Sequence, residues 1–217
     1  MVRNLILLLV FSAVLVYCGQ TRQEGKGSAD NMYGNDGMIE SSLTDDERAF
    51  IDNLAALCGK SFRGEETYMA SGRESWAEKD FVMHVTVCED DRVYIPFHLD
   101  DDHSRTWMFL AEDKGLRFRH DHRHEDGTPE DLTMYGGYAD GTGTGYRQHF
   151  PADDYTVELL EDTLGREWRV ILDKDISTFT YQLHYSSELM FEAQFDLSST
   201  IETDHDVIRI IEYISDN

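Results

Sequence analysis

Apolar and polar residues alternate along most of this chain. Phe81, Met83, Val85 and Val87 occupy every second position, and Val93, Ile95, Phe97 and Leu99 repeat the pattern. Trp107 and Phe109 follow, then Leu116 and Phe118. Near the end come Trp168, Val170 and Leu172, then Phe179, Tyr181, Leu183 and Tyr185, then Phe191, Ala193, Phe195 and Leu197. A period of two is the signature of strands with one buried face. Acidic or glycine-containing turns separate the runs: Glu89-Asp90-Asp91, Asp100-Asp101-Asp102, Asp113-Lys114-Gly115 and Asp173-Lys174-Asp175. Many short strands joined by tight turns predict a mainly β fold, an antiparallel meander that closes into a barrel or sandwich.

The period differs in front of this meander. Thr44-Asp45-Asp46-Glu47 has the form of a capping box, and Phe50, Ile51, Leu54 and Leu57 follow at helical spacing. One amphipathic helix is therefore expected over residues 45–58, ended by Gly59. A second, short helix is expected around Val157 to Leu160, and Val207 to Ile214 is apolar enough for a final strand or a docking helix. Pro96 falls inside a strand run and predicts an edge or a bulge there. Tyr135-Gly136-Gly137 and Gly141-Thr142-Gly143-Thr144-Gly145 lack a phosphate-loop lysine and a strand-to-helix setting, so they read as a flexible hairpin loop. A helix entering a meander through Leu57-Cys58-Gly59-Lys60-Ser61-Phe62 is similar to the opening of calycin barrels such as lipocalins, with Phe62 where those show tryptophan. That resemblance implies a barrel with a ligand cavity and names no ligand.

The N-terminus carries an address. Arg3, the apolar run Leu5 to Val16, and Leu15-Val16-Tyr17-Cys18 resemble a bacterial lipoprotein signal with its lipobox. The run is too short, and its flanks wrong, for a spanning helix. Tyr17 departs from the Gly, Ala or Ser usual before the cysteine, which leaves an ordinary cleaved signal or an uncleaved anchor as alternatives. The expected organisation is a signal peptide over 1–17, a lipid-bearing Cys18 with a flexible tether over 18–42, one β-rich domain over 43–200 and an extension over 201–217. With acyl chains on Cys18, Cys58 and Cys88 remain as a candidate disulfide in an oxidising compartment. Two buried free thiols are the alternative.

Composition narrows the partners. Acidic residues outnumber basic ones 43 to 19, for a formal charge of −24. Such a surface repels nucleic acid, which is excluded as a partner, and attracts cations. Aromatic residues at 12% argue for a packed domain over a disordered acidic chain.

The candidate chemistry lies in Leu116-Arg117-Phe118-Arg119-His120-Asp121-His122-Arg123-His124-Glu125-Asp126-Gly127. On a strand, Leu116, Phe118, His120, His122 and His124 share one face, and the apolar end of that face points it inward. Pairing Ala111 with Leu116 across the Asp113-Lys114-Gly115 turn sets Trp107 opposite His120, Arg105 opposite His122 and His103 near His124. His98 then reaches the same end, beside Asp100 to Asp102. The candidate metal or ligand residues are accordingly His98, His103, His120, His122 and His124. Three or four such nitrogens could hold zinc or another divalent metal. A polar network with Asp121, Glu125 and Asp126, or acid–base histidines, are the other readings. Trp76, Trp107 and Trp168 read as core. The paired serines lack a nucleophile elbow, and acidic pairs are too many to single out a glycosidase dyad.

The His120 to Gly127 segment, with Cys58-Gly59, Ile95-Pro96-Phe97-His98, Ser104-Arg105-Thr106-Trp107 and Phe195-Asp196-Leu197, resembles an uncharacterised family of exported bacterial lipoproteins over residues 57–198. The expected function is that of a lipid-anchored binding protein of the bacterial cell envelope, on the periplasmic face of the outer membrane in a Gram-negative cell. Its ligand would be a small molecule, a metal ion or a protein partner at a histidine-lined barrel end. A metal-dependent hydrolase using His98, His122 and His124, and a structural envelope lipoprotein, are the alternatives.

Overall fold

A computed structural model describes residues 42–203. The expected signal and tether, including Cys18, and the segment Val207 to Ile214 lie outside the described residues. Helix α1 (Asp45–Ala55) begins at the expected box: the Thr44 hydroxyl accepts the Glu47 N–H at 3.2 Å, and the Glu47 carboxylate accepts the Thr44 N–H at 2.8 Å. The strands that follow are β1 (Ser61–Met69), β2 (Phe81–His84), β3 (Val87–Glu89), β4 (Arg92–Leu99), β5 (Asp102–Glu112), β6 (Gly115–His122), β7 (Tyr135–Tyr138) and β8 (Arg147–Pro151). A short helix, α2 (Asp154–Leu159), precedes β9 (Arg166–Leu172), β10 (Thr178–Tyr185) and β11 (Glu188–Asp196).

All pairings are antiparallel, in the order β7-β6-β5-β4-β2-β1-β11-β10-β9-β8, with β3 added beside β4. The sheet curls so that its end strands, β7 and β8, meet in a nearly closed barrel. Backbone hydrogen bonds from Asp153 to Gly136 (3.0 Å) and from Asp140 to His149 (3.1 Å) bridge that seam. The expected barrel and its leading helix are both present.

The alternating residues form the interior. Phe62, Met83, Ile95, Phe109, Phe118, Val170, Phe179 and Phe195 are fully buried along the inner faces. Helix α1 closes one end with Phe50, Ile51 and Leu54, and Phe50 meets Phe109 edge-to-face at 5.9 Å between centroids. Polar contacts seat the plug: Asn53 donates to the Gly145 carbonyl at 2.8 Å, and Arg48 donates to the Asp90 carbonyl at 2.7 Å. Cys58 and Cys88 are joined in a disulfide, which ties the chain just after α1 to β3. Closing a loop of 30 residues removes unfolded-state entropy worth about 3–4 kcal/mol.

Two local expectations change. Pro96 lies on a strand paired on both sides, so it marks no edge; the bulge given as the alternative lies just after it, where the β4–β5 register shifts between Phe97 and Leu99. Pro96 faces the break where β4 exchanges β2 for β3 as partner, between Phe97 paired with Met83 and Tyr94 paired with Val87. A missing N–H leaves no ladder bond unmade there. Tyr135-Gly136-Gly137 is not loop but strand β7, and only residues 139–146 connect it to β8.

Candidate functional site

The barrel end opposite α1 opens into a cavity of about 640 Å³. That is the volume of a small-molecule site. Register explains its layers. Trp107 pairs with His120, and Leu183 with Trp168; one step nearer the mouth, Arg105 pairs with His122, and Tyr185 with Arg166. Since inward side chains recur every second residue, these four pairs form two stacked rings of the wall. The deeper ring is aromatic, and the outer ring carries the charge. Arg73, Glu74 and Trp76 from the β1–β2 connection, with Glu130 and Leu132 from the β6–β7 connection, complete the rim.

Two ring stacks line the inside. Phe97, Trp107 and Tyr181 lie nearly parallel, with centroids 4.8 and 4.7 Å apart and planes 10° apart at each step. His120, Tyr135 and Trp168 form the other, at 4.6 and 5.8 Å with planes 20° and 30° apart. A hydrogen bond of 2.9 Å between His120 Nε2 and the Tyr181 hydroxyl joins the two stacks, and His122 Nε2 meets the Tyr135 hydroxyl at 3.0 Å. Trp107 and Trp168 are buried as expected of core residues, and they line the cavity as well.

Burial sets the protonation of this site. His120 is held well below the ordinary imidazole value by burial, with His122 adding to the effect. His122 is lowered too, by burial first and then by the charge of Arg105. Burial pushes the Tyr135 hydroxyl up to about 12, although Arg105 and Arg166 act against it. Both imidazoles are therefore neutral near pH 7, and the fixed positive charge of the cavity comes from arginine.

The five expected histidines do not form one cluster. His120 and His122 line the cavity, and their predicted partners, Trp107 and Arg105, are the observed ones. His98 points to the outer face, because its neighbours Phe97 and Leu99 occupy the core. A register shift between Phe97 and Leu99 breaks the alternation of β5, and His103 stacks on His98 at 3.8 Å instead of facing His124. His84, which was not anticipated, completes this outer group, with its Nε2 3.1 Å from His98 Nδ1. His124 leaves the strand in a turn closed by its N–H to the Thr128 carbonyl at 2.9 Å. Among the described residues no group of three or more His, Cys, Asp or Glu is placed to hold a metal ion, so the ligand set His98, His122 and His124 is not assembled.

The outer group makes the fold sensitive to acid. Burial, reinforced by His84 and His103, lowers His98 to about 3. The unfolded chain binds a proton there near pH 6.5, and the folded chain does not, so stability is full above that value and falls with pH below it. His120 acts in the same direction from the core. Each excluded proton contributes at most about 1.4 kcal/mol per pH unit below 6.5, and partly solvated His98 contributes less. The urea midpoint is expected to be lower at pH 5 than at pH 7.5, with a smaller difference in His98→Gln. An unchanged midpoint in the native chain would contradict the assignment.

Arg73, Arg105, Tyr135, Arg166 and Tyr181 are site residues that the histidine pattern did not reveal. Strand parity carries a signal for three of them, since Arg105 shares a face with Trp107, Arg166 with Trp168 and Tyr181 with Phe179. Neither a family model, nor a curated protein, nor a solved structure matches this chain, and its function is read from the chemistry of the cavity.

Proposed function

We propose that this chain is a binding protein of the bacterial cell envelope that takes a small molecule into the open end of its barrel. The observation that carries the reading is the cavity: α1 plugs one end, and the other opens onto buried aromatic rings with a few converging polar groups. The lipobox-like sequence supports attachment through Cys18, which would hold the barrel at the membrane by its tether.

All three tryptophans of the chain line the cavity, so intrinsic fluorescence reports on it without a label. Titration of the full-length protein with a panel of drug-sized aromatic and aliphatic compounds is expected to give a saturable change with some of them. Leu183→Trp, which adds bulk to the cavity wall beside Trp168, is expected to abolish it. Absence of saturation across the panel, or equal response in the filled variant, would refute the binding role. Loss of acyl label and of membrane association in Cys18→Ser checks the anchor; a variant fractionating like the native chain would refute it.

A further inference from the structure

We infer that the ligand of this cavity is a flat, conjugated anion, an aromatic carboxylate or sulfonate whose acid group meets Arg166. This rests on the binding role proposed above and adds the chemical class of what is bound.

Charge is the first argument. The chain carries 43 acidic residues against 19 basic ones, yet the cavity is lined by three arginines, Arg73, Arg105 and Arg166, against Glu74 and Glu130. With Asp102, which holds Arg105, the local balance is even, against the strong acidic excess of the whole molecule. A surface so acidic excludes anions elsewhere, so an anion reaching this mouth is held by specific groups.

The state of the guanidinium groups is the second. Arg105 is already bound to the Asp102 carboxylate at 2.5 Å. Arg166 is not neutralised in this way: among the described residues no carboxylate lies within ion-pair distance of it. Its one side-chain hydrogen bond goes to the Tyr185 hydroxyl at 3.0 Å, and its Nε is buried without a partner. A buried Nε donor with no acceptor is costly, and a carboxylate or sulfonate oxygen placed beside it accepts that bond.

Shape is the third. The deeper wall consists of the two ring stacks, and a conjugated body packs against their inward edges in the edge-to-face arrangement that aromatic rings favour. A flexible aliphatic chain would fill the same volume without using this geometry. Because arginine stays charged throughout the accessible range, anion affinity is expected to hold from pH 6 to 9. Capture by protonated histidine would instead strengthen steeply towards acid.

A matched pair of probes tests the charge separately from the cavity. 1-Anilinonaphthalene-8-sulfonate and N-phenyl-1-naphthylamine share a ring system, and only the first is an anion. With full-length protein, the sulfonate is expected to bind at least about tenfold more tightly. Arg166→Met should remove that preference, Arg166→Lys should retain part of it, and Arg73→Gln, at an exposed position, should weaken it less. Near-ultraviolet circular dichroism checks that each variant is folded, and Arg73→Gln keeps the test open if Arg166→Met is not. Equal affinity for both probes in the native chain, or an unchanged preference in folded Arg166→Met, overturns the anion assignment and leaves the binding role standing. Failure of both probes to bind the native chain overturns the two together.

Discussion

Asp153→Ala is expected to destabilise the fold by about 3–5 kcal/mol, because it leaves a buried guanidinium without its counter-charge. Arg119 projects from the outer face of β6, yet only 2% of its side chain is exposed. Its Nη2 is 2.5 Å from the Asp153 carboxylate, its Nη1 reaches the Thr156 hydroxyl at 3.4 Å, and the Tyr155 ring lies over it at 5.6 Å. The same carboxylate accepts from Arg117 at 3.2 Å and caps α2 through the Thr156 N–H at 3.0 Å. One residue thus balances two arginines and starts a helix. Urea denaturation of Asp153→Ala and of the double variant Arg119→Met, Asp153→Ala would check this. The double variant should recover much of the loss, since removing both charges leaves nothing buried and unpaired. A single-variant effect below about 1 kcal/mol would show that water reaches Arg119 after all.

Gly137→Ala is expected to cost about 3 kcal/mol or more, through a clash that the backbone cannot avoid. A Cβ at Gly137 would stand 1.8 Å from the Pro151 carbonyl oxygen, on the facing end strand of the barrel. Side-chain rearrangement cannot relieve an overlap with a carbonyl, so β7 and β8 would have to separate. Gly136 beside it joins the latch: its N–H donates to the Thr156 hydroxyl at 2.7 Å, and its carbonyl accepts from that hydroxyl at 2.8 Å. A melting temperature lowered by roughly 6–12 °C is expected for a domain of this size. Because Tyr135 lines the cavity from the same short strand, probe binding should weaken along with stability. A variant that melts within 2 °C or so of the native chain would show that the seam is looser than these distances imply.

Both substitutions act on the seam, and the seam is where the sequence was misread. Tyr135-Gly136-Gly137 has the composition of a loop. Nothing local in it signals a strand, since its glycines serve a close approach to residues about fifteen positions on. The hairpin of β5 and β6 was legible for the opposite reason. Its partners are adjacent in sequence, the Asp113-Lys114-Gly115 turn sets the register, and one face is plainly apolar, so Trp107 opposite His120 followed directly. That inference failed only where β5 breaks its alternation. The register shift beside Leu99 turned His103 outward onto His98, and periodicity contains no mark of such a shift. Pro96 shows an intermediate case: the lost donor was readable, and the change of partner strand that accommodates it was not.

By itself, then, the sequence determined α1 and the inner face of the strands with a plain period of two, because that period, the capping box and the turn residues act within a few positions. It determined the pairing of Cys58 with Cys88 only as a candidate, since a cysteine count carries no distance. The tertiary structure alone decided that β7 meets β8, that α1 closes one end, and that Arg73, Arg105 and Arg166 converge on the other. Those three arginines come from a connection and two strands that are distant in the chain, and only closure of the barrel brings them to one mouth. Alternation puts a side chain inside the barrel, and only closure sets which side chains share its cavity.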